Sequence, residues 1–231
     1  MKRFKLIIFD FGDTLVTLNP SRESIMLKFL SSKGLVVNVN DIIKAYRIVN
    51  YCYKQSALML KDPESKKNFL LNINKELFKI MGLSKNEDIW AEELYNFFSS
   101  EKRWVTFDDT IPALNEIKRT GYEMAILANW DKNLSFIVRE LGLNNYFSYI
   151  FSSEELSAEK PNPEIFSRFF KRLPFTPEET IYVGNEYELD VICARKASIE
   201  PILIDRLNLY PYADCLRFEN LILLSEYLKS T

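Results

Sequence analysis

A sequence of 231 residues without a single histidine has few ways to do chemistry, and one position stands out among them. The apolar run from Arg3 to Phe9 breaks off at Asp10, the pattern of a buried strand that delivers a carboxylate to its C-terminal edge. Far downstream, Lys160 sits in Glu159-Lys160-Pro161-Asn162-Pro163, and Asn185 and Asp190 follow Gly184. Phosphoryl transfer needs a nucleophile in line with the leaving group and positive charge over the equatorial oxygens; a carboxylate, a lysine and a hard cation supply these without histidine. The missing histidine excludes serine or cysteine nucleophiles with a histidine base, histidine phosphatases and histidine-ligated zinc.

The elements that must hold these residues can be read from hydrophobic periodicity. Short apolar runs recur at Glu123 to Ala128, Tyr149 to Phe151, Thr180 to Val183 and Pro201 to Ile204, each predicting a buried strand. Amphipathic segments separate most of them: between Asp131 and Leu143, the residues Leu134, Ile137, Val138 and Leu141 mark one helical face, with Asp131 as the expected cap and Gly142 near the end. Strands alternating with helices imply an α/β fold with a doubly wound parallel sheet, whose ligands sit beyond the carboxyl ends of the strands. Asp10 is at such an end.

From about Asn19 to Ser100 the pattern changes to helices alone. Ser21 is placed to cap the first, which stops near Gly34; Asn40 opens a second, Asp62 with Pro63 a third ending near Gly82, and a fourth covers Glu87 to Phe98. The division expected is a core of residues 1–16 and 103–231 and a helical insertion of 17–102, the insertion acting as a lid with substrate between lid and sheet.

Thirty basic residues against thirty-two acidic ones leave no positive excess of the kind a phosphate-backbone binder carries, so nucleic acid is not the expected partner. Cys52, Cys193 and Cys215 match no metal-ligand spacing and read as reduced packing residues. No leader pattern precedes the first strand, and no apolar run reaches the roughly 18 residues of a membrane helix. A cytoplasmic protein is expected.

Phe9-Asp10-Phe11-Gly12-Asp13-Thr14-Leu15-Val16 resembles the first motif of the haloacid dehalogenase-like superfamily. Glu159-Lys160-Pro161-Asn162-Pro163-Glu164-Ile165-Phe166 is similar to its third motif, and Val183 to Asp190, running on to Ala194 and Ala197, to its fourth. The second motif falls on Met124 to Ala128, followed by Asn129, Trp130 and Asp131. The resemblance implies a hydrolase with a helical type-one cap. Its most direct form is a magnesium-dependent phosphatase of a small phosphorylated molecule, with Asp10 as nucleophile and Lys160 neutralising nucleophile and phosphate. Magnesium prefers oxygen ligands; Asp10, the Gly12 carbonyl and the Asn185 amide are the implied shell, with Asp190 either ligating or fixing a water and Lys160.

Three positions depart from that pattern. Gly12 stands where phosphatases of the family carry a second aspartate, the acid that protonates the leaving group, and Asp13, one residue on, is at least as well explained as a turn residue. Ala128 replaces a hydroxyl residue, which leaves Asn129 as a partial substitute toward the phosphate, and Asn185 replaces an aspartate, removing a charge from the metal shell. Two alternatives follow: a metal-free 2-haloacid dehalogenase, and a non-catalytic binding or regulatory protein on the same fold. In the insertion, Arg22, Tyr46, Arg47, Tyr53 and Lys54 are available to an anionic substrate, with Tyr46, Asn50 and Tyr53 on one helical face, a spacing that packing also explains.

Overall fold

The computed structural model describes residues 4–53, 62–101 and 103–230. The chain forms two compact units, Met1–Thr17 with Trp104–Thr231, and Leu18–Arg103.

The first unit is a six-stranded sheet of order β5-β4-β1-β6-β7-β8: β1 Leu6–Phe9, β4 Glu123–Ala128, β5 Tyr149–Ser152, β6 Thr180–Gly184, β7 Glu200–Ile204 and β8 Leu216–Phe218. Every pairing is parallel. β1 is buried at all four residues because it lies inside the sheet, with Ile8 opposite Ala125 on one side and Tyr182 on the other. Successive side chains alternate between faces. Ile7 and Phe9 pack with α5 (Thr110–Arg119), α6 (Leu134–Glu140) and α10 (Leu221–Lys229); Leu6 and Ile8 pack with α8 (Glu164–Phe170) and α9 (Ile192–Lys196). Helices on both faces make this the doubly wound sheet that the alternation of strands and helices predicts. The strand order reverses at β1, so the carboxyl end of β1, where Asp10 lies, is the switch point at which such sheets bind ligands.

Three short strands were not expected. β2 (Val16–Leu18) pairs with β3 (Trp104–Thr106), and β8 closes the sheet edge; three-residue strands are too short to show a period. Asp131 does not cap α6, which starts after Asn133. It accepts a hydrogen bond from the Asn133 amide at 2.9 Å and folds the turn before the helix instead. Cys193 lies in the core, where burial pushes its thiol up to about 11, the state of an inert packing residue.

The second unit is helical in its described parts: α1 Arg22–Ser32, α2 Val39–Tyr53, α3 Pro63–Ile80 and α4 Glu87–Glu101. Ser21 and Asp62 cap α1 and α3 through bonds to the amides of Ser24 and Ser65. Met26, Phe29, Leu30, Ile42, Leu77, Phe78 and Leu94 form its core, with Tyr46 packed against them and Arg22 over the Tyr46 ring. Lys54 lies outside the described residues, as do the side chains of Asn50, Cys52 and Tyr53. Phe78 is fully buried, with Phe29 and Trp90 rings near 6 Å. Phe78→Ala is therefore expected to destabilise this unit by about 3–5 kcal/mol; urea unfolding followed by far-ultraviolet dichroism checks it, and an unshifted midpoint would contradict the packing described.

Candidate active site

Among the described residues the buried charged groups are Asp10, Lys160, Asp190 and Asp205, and three of these form one cluster. The Lys160 ammonium donates to Asp10 Oδ1 at 2.7 Å, Asp190 Oδ1 at 2.6 Å and the Tyr182 hydroxyl at 2.8 Å. An ammonium has three hydrogens, and these three acceptors use them all. Lys160 is 2% exposed, a position a lysine holds only when paired. Burial pulls its pKa down, but Asp10 and Asp190 outweigh that and hold it well above its ordinary value.

Each member follows a different strand. Asp10 follows β1, and its amide bonds the Val183 carbonyl of β6 at 2.8 Å. Asp190 lies in a single π-helical turn, Tyr187–Val191, after β6; its Oδ2 accepts the Glu186 amide at 2.9 Å, and its own amide bonds the Glu186 carbonyl at 2.8 Å. Gly184 makes this turn possible, since a Cβ there would stand 2.3 Å from Asp190 Cγ. Lys160 is held through its backbone: its carbonyl accepts from Asn129 Nδ2 at 2.8 Å and its amide donates to Asn129 Oδ1 at 2.9 Å. Asn129 thus braces the lysine from the end of β4, and only its second amide hydrogen can serve a phosphate.

On the far side of Asp10 the loop 11–15 turns back on itself. Thr14 Oγ1 lies 3.1 Å from Asp10 Oδ2 and 3.1 Å from Asn185 Oδ1, so both oxygens converge on one hydroxyl. Asp13 has a φ of +58° and donates its amide to the Val16 carbonyl at 2.7 Å. An aspartate tolerates this left-handed conformation better than most residues, which accounts for Asp13 through the turn. The loop is also held from outside. Arg206 forms two bonds to Asp109, donates to the Thr14 carbonyl at 3.0 Å and stacks on Phe107 at 3.8 Å, and Thr110 Oγ1 donates to the Leu15 carbonyl at 2.7 Å. Gly12 faces Trp130: a Cβ on it would meet Trp130 Cζ3 at 3.3 Å.

Residues 7–204 match the model of the haloacid dehalogenase-like hydrolase family. The chain belongs to this family. It is 25% identical over 206 residues to haloacid dehalogenase-like hydrolase domain-containing protein 3 of Xenopus laevis, covering 87% of this chain and 84% of the relative. A glyceraldehyde 3-phosphate phosphatase of Methanopyrus kandleri is 32% identical over 106 residues, 43% of each chain. The magnesium-bound HAD-hydrolase YfnB of Bacillus subtilis superposes with a TM-score of 0.74 at 19% identity, covering 98% of this chain and 99% of that one, a likeness of fold.

This haloacid dehalogenase-like hydrolase brings Asp10, Lys160, Asn129, Asn185 and Asp190 to one sheet edge. Two participants were not foreseen: Thr14 and Tyr182. Tyr182 was legible in principle, because a tyrosine inside a fully buried strand has a hydroxyl that must find a partner. Thr14 offered no comparable signal. Among the described residues no three His, Cys, Asp or Glu side chains gather as a metal cluster. The oxygens linked through Thr14 are the Asp10 carboxylate, the Thr14 hydroxyl itself and the Asn185 amide oxygen. All are hard oxygens suited to magnesium completed by waters, with less negative charge than usual.

Burial raises Asp10 from its ordinary 3.8 to about 6, with Lys160 opposing and Asp190 adding to the rise. A carboxyl whose folded-state pKa is raised contributes stability that is present below 3.8 and lost as pH climbs through about 6. In metal-free protein, the stability of Asp10→Asn relative to wild type should therefore grow between pH 4 and pH 7, by up to about 3 kcal/mol. Melting curves in chelator read this, and a difference that stays constant with pH would refute the raised pKa.

Proposed function

We propose that this hydrolase is a phosphatase of small phosphate monoesters that works through an aspartyl-phosphate on Asp10, in the cytoplasm and with the helical unit as its cap. The observation that carries the reading is the buried lysine bonded to Asp10 Oδ1 at 2.7 Å while Oδ2 lies 3.1 Å from the Thr14 hydroxyl, which also reaches Asn185 Oδ1. A carboxylate so fixed has lost its freedom before substrate arrives, which favours in-line attack. The local likeness to a glyceraldehyde 3-phosphate phosphatase supports the phosphatase branch. Asp10 attacks phosphorus, the P–O bond to the alcohol breaks with its electron pair leaving on that oxygen, and water then hydrolyses the acyl phosphate. Magnesium, when bound, would neutralise charge on the phosphoryl oxygens. Asp10 Oδ2, the Gly12 carbonyl and Asn185 Oδ1 would hold it, while Asp190, with both oxygens already bonded, acts through Lys160. Asp10→Asn is expected to remove all turnover of p-nitrophenyl phosphate in magnesium with the fold intact by circular dichroism. Undiminished activity in that variant overturns the mechanism, and chloride release from 2-chloropropionate by wild type would move the protein to the dehalogenase branch.

Gly12 sets the second expectation. General acid catalysis contributes roughly 10²–10⁴-fold and matters most for poor leaving groups, so aryl and acyl phosphates should be turned over much faster than alkyl phosphates. Restoring an acid is hindered, because Trp130 Cζ3 lies 3.3 Å from where the new Cβ would stand. Gly12→Asp alone is expected to gain little on alkyl phosphates. Gly12→Asp with Trp130→Leu should gain about tenfold or more, measured by phosphate release. Equal wild-type rates on both substrate classes would show that another group is the acid.

A further inference from the structure

Tyr182 is 0% exposed, and its ring packs edge-on against Phe166 at 5.1 Å. Its hydroxyl lies 3.0 Å from the Leu127 carbonyl, 3.3 Å from Asp190 Oδ1 and 2.8 Å from Lys160 Nζ. A phenol has one hydrogen, and a lysine ammonium has no acceptor. Lys160 must therefore be the donor in its bond to Tyr182, leaving the phenolic hydrogen for the closer Leu127 carbonyl. That keeps Asp190 Oδ1 open to the lysine.

The placement adds a second consideration. Leu127 is on β4 and Tyr182 on β6, the two neighbours of β1. The side chain therefore reaches across the central strand, from a position opposite Ile8 to the edge from which Asp10 emerges. Nothing else in the cluster fixes the third hydrogen of Lys160. Without that acceptor the ammonium is free to rotate and to tilt toward either carboxylate. With it, one hydrogen is committed to Tyr182 and the other two are aimed at Asp10 and Asp190.

We infer that Tyr182 is a positioning residue for the reaction, whose hydroxyl holds the Lys160 ammonium on Asp10 by joining it to the β4 edge. The inference rests on the reading of Asp10 as nucleophile and adds a residue to it. Burial keeps the phenol from ionising, raising its pKa well above the ordinary value, so the group acts by geometry and not as an acid or base.

The test uses the full chain, magnesium and p-nitrophenyl phosphate, with kcat and KM measured well below each variant's melting temperature. Tyr182→Phe keeps the ring and removes only the hydroxyl; kcat should fall about tenfold with KM within twofold, the signature of an interaction that matters in the transition state. Leu228→Ala, in the core on the opposite face of the sheet, is the control: it should lower the melting temperature at unchanged kcat. If Tyr182→Phe fails to fold, Phe166→Leu, which loosens the ring's edge-on neighbour, must show a lower kcat than the control. A Tyr182→Phe enzyme with wild-type kcat overturns the inference while leaving the phosphatase reading in place, as does a loss confined to KM. A wild-type protein that turns over no phosphate ester overturns both.

Discussion

One ammonium group holds this active site together. Lys160 is buried under the carboxyl edge of the sheet, and its charge is tolerable only because Asp10, Asp190 and Tyr182 each take one of its hydrogens. Breaking such a cluster by removing one member leaves a charge uncompensated in a poor dielectric, a penalty of about 3–5 kcal/mol for typical buried pairs. The surrounding architecture can be understood as the means of bringing these groups together from four chain segments: 10, 160, 182 and 190.

Parallel sheets are suited to this. All strands end on the same edge, so the loops that follow β1, β4 and β6 meet there whatever their separation in sequence. Asp10 leaves β1, Asn129 leaves β4 and braces the Lys160 backbone, and the π turn after β6 returns Asp190 to the Lys160 ammonium. Gly184 permits that return, because no side chain fits between strand and carboxylate. Arg206, from the end of β7, reaches back to the Thr14 carbonyl and so steadies the loop that follows Asp10.

The departures from the family pattern also become physically connected. Gly12 and Trp130 share one volume, with the indole occupying space next to the place where an acidic side chain would start. Ala128 has no hydroxyl to offer, yet its neighbour Asn129 is committed at both ends of its amide to Lys160. Asn185 keeps an oxygen on the Thr14 hydroxyl that also meets Asp10 but brings no charge. The result is a site whose Asp10 carboxylate is firmly held, while the groups that would assist a leaving group or bind a cation under the proposed mechanism are reduced.

Much of this was legible without coordinates, since strands and helices follow from local periodicity and the residues delivered by strand ends follow from the parallel sheet. The run ending at Asp10, the lysine among prolines and the Gly184 to Asp190 spacing marked the edge of the sheet, and Ser21, Asp62 and Pro63 marked helix starts that the structure has. Three-residue strands were too short to carry a period, and Asp131 looked like a cap because a turn carboxylate and a capping one have the same local sequence. What tertiary structure alone decided is who bonds to whom. That Tyr182 reaches Leu127 across the central strand, that Trp130 crowds Gly12, and that Arg206 holds Thr14 depend on residues dozens to nearly two hundred positions apart. A side chain's type and its position in a strand specify which face it occupies. Which partner it meets there is set by the register and order of the neighbouring strands, and that is a property of the assembled sheet and not of any one segment.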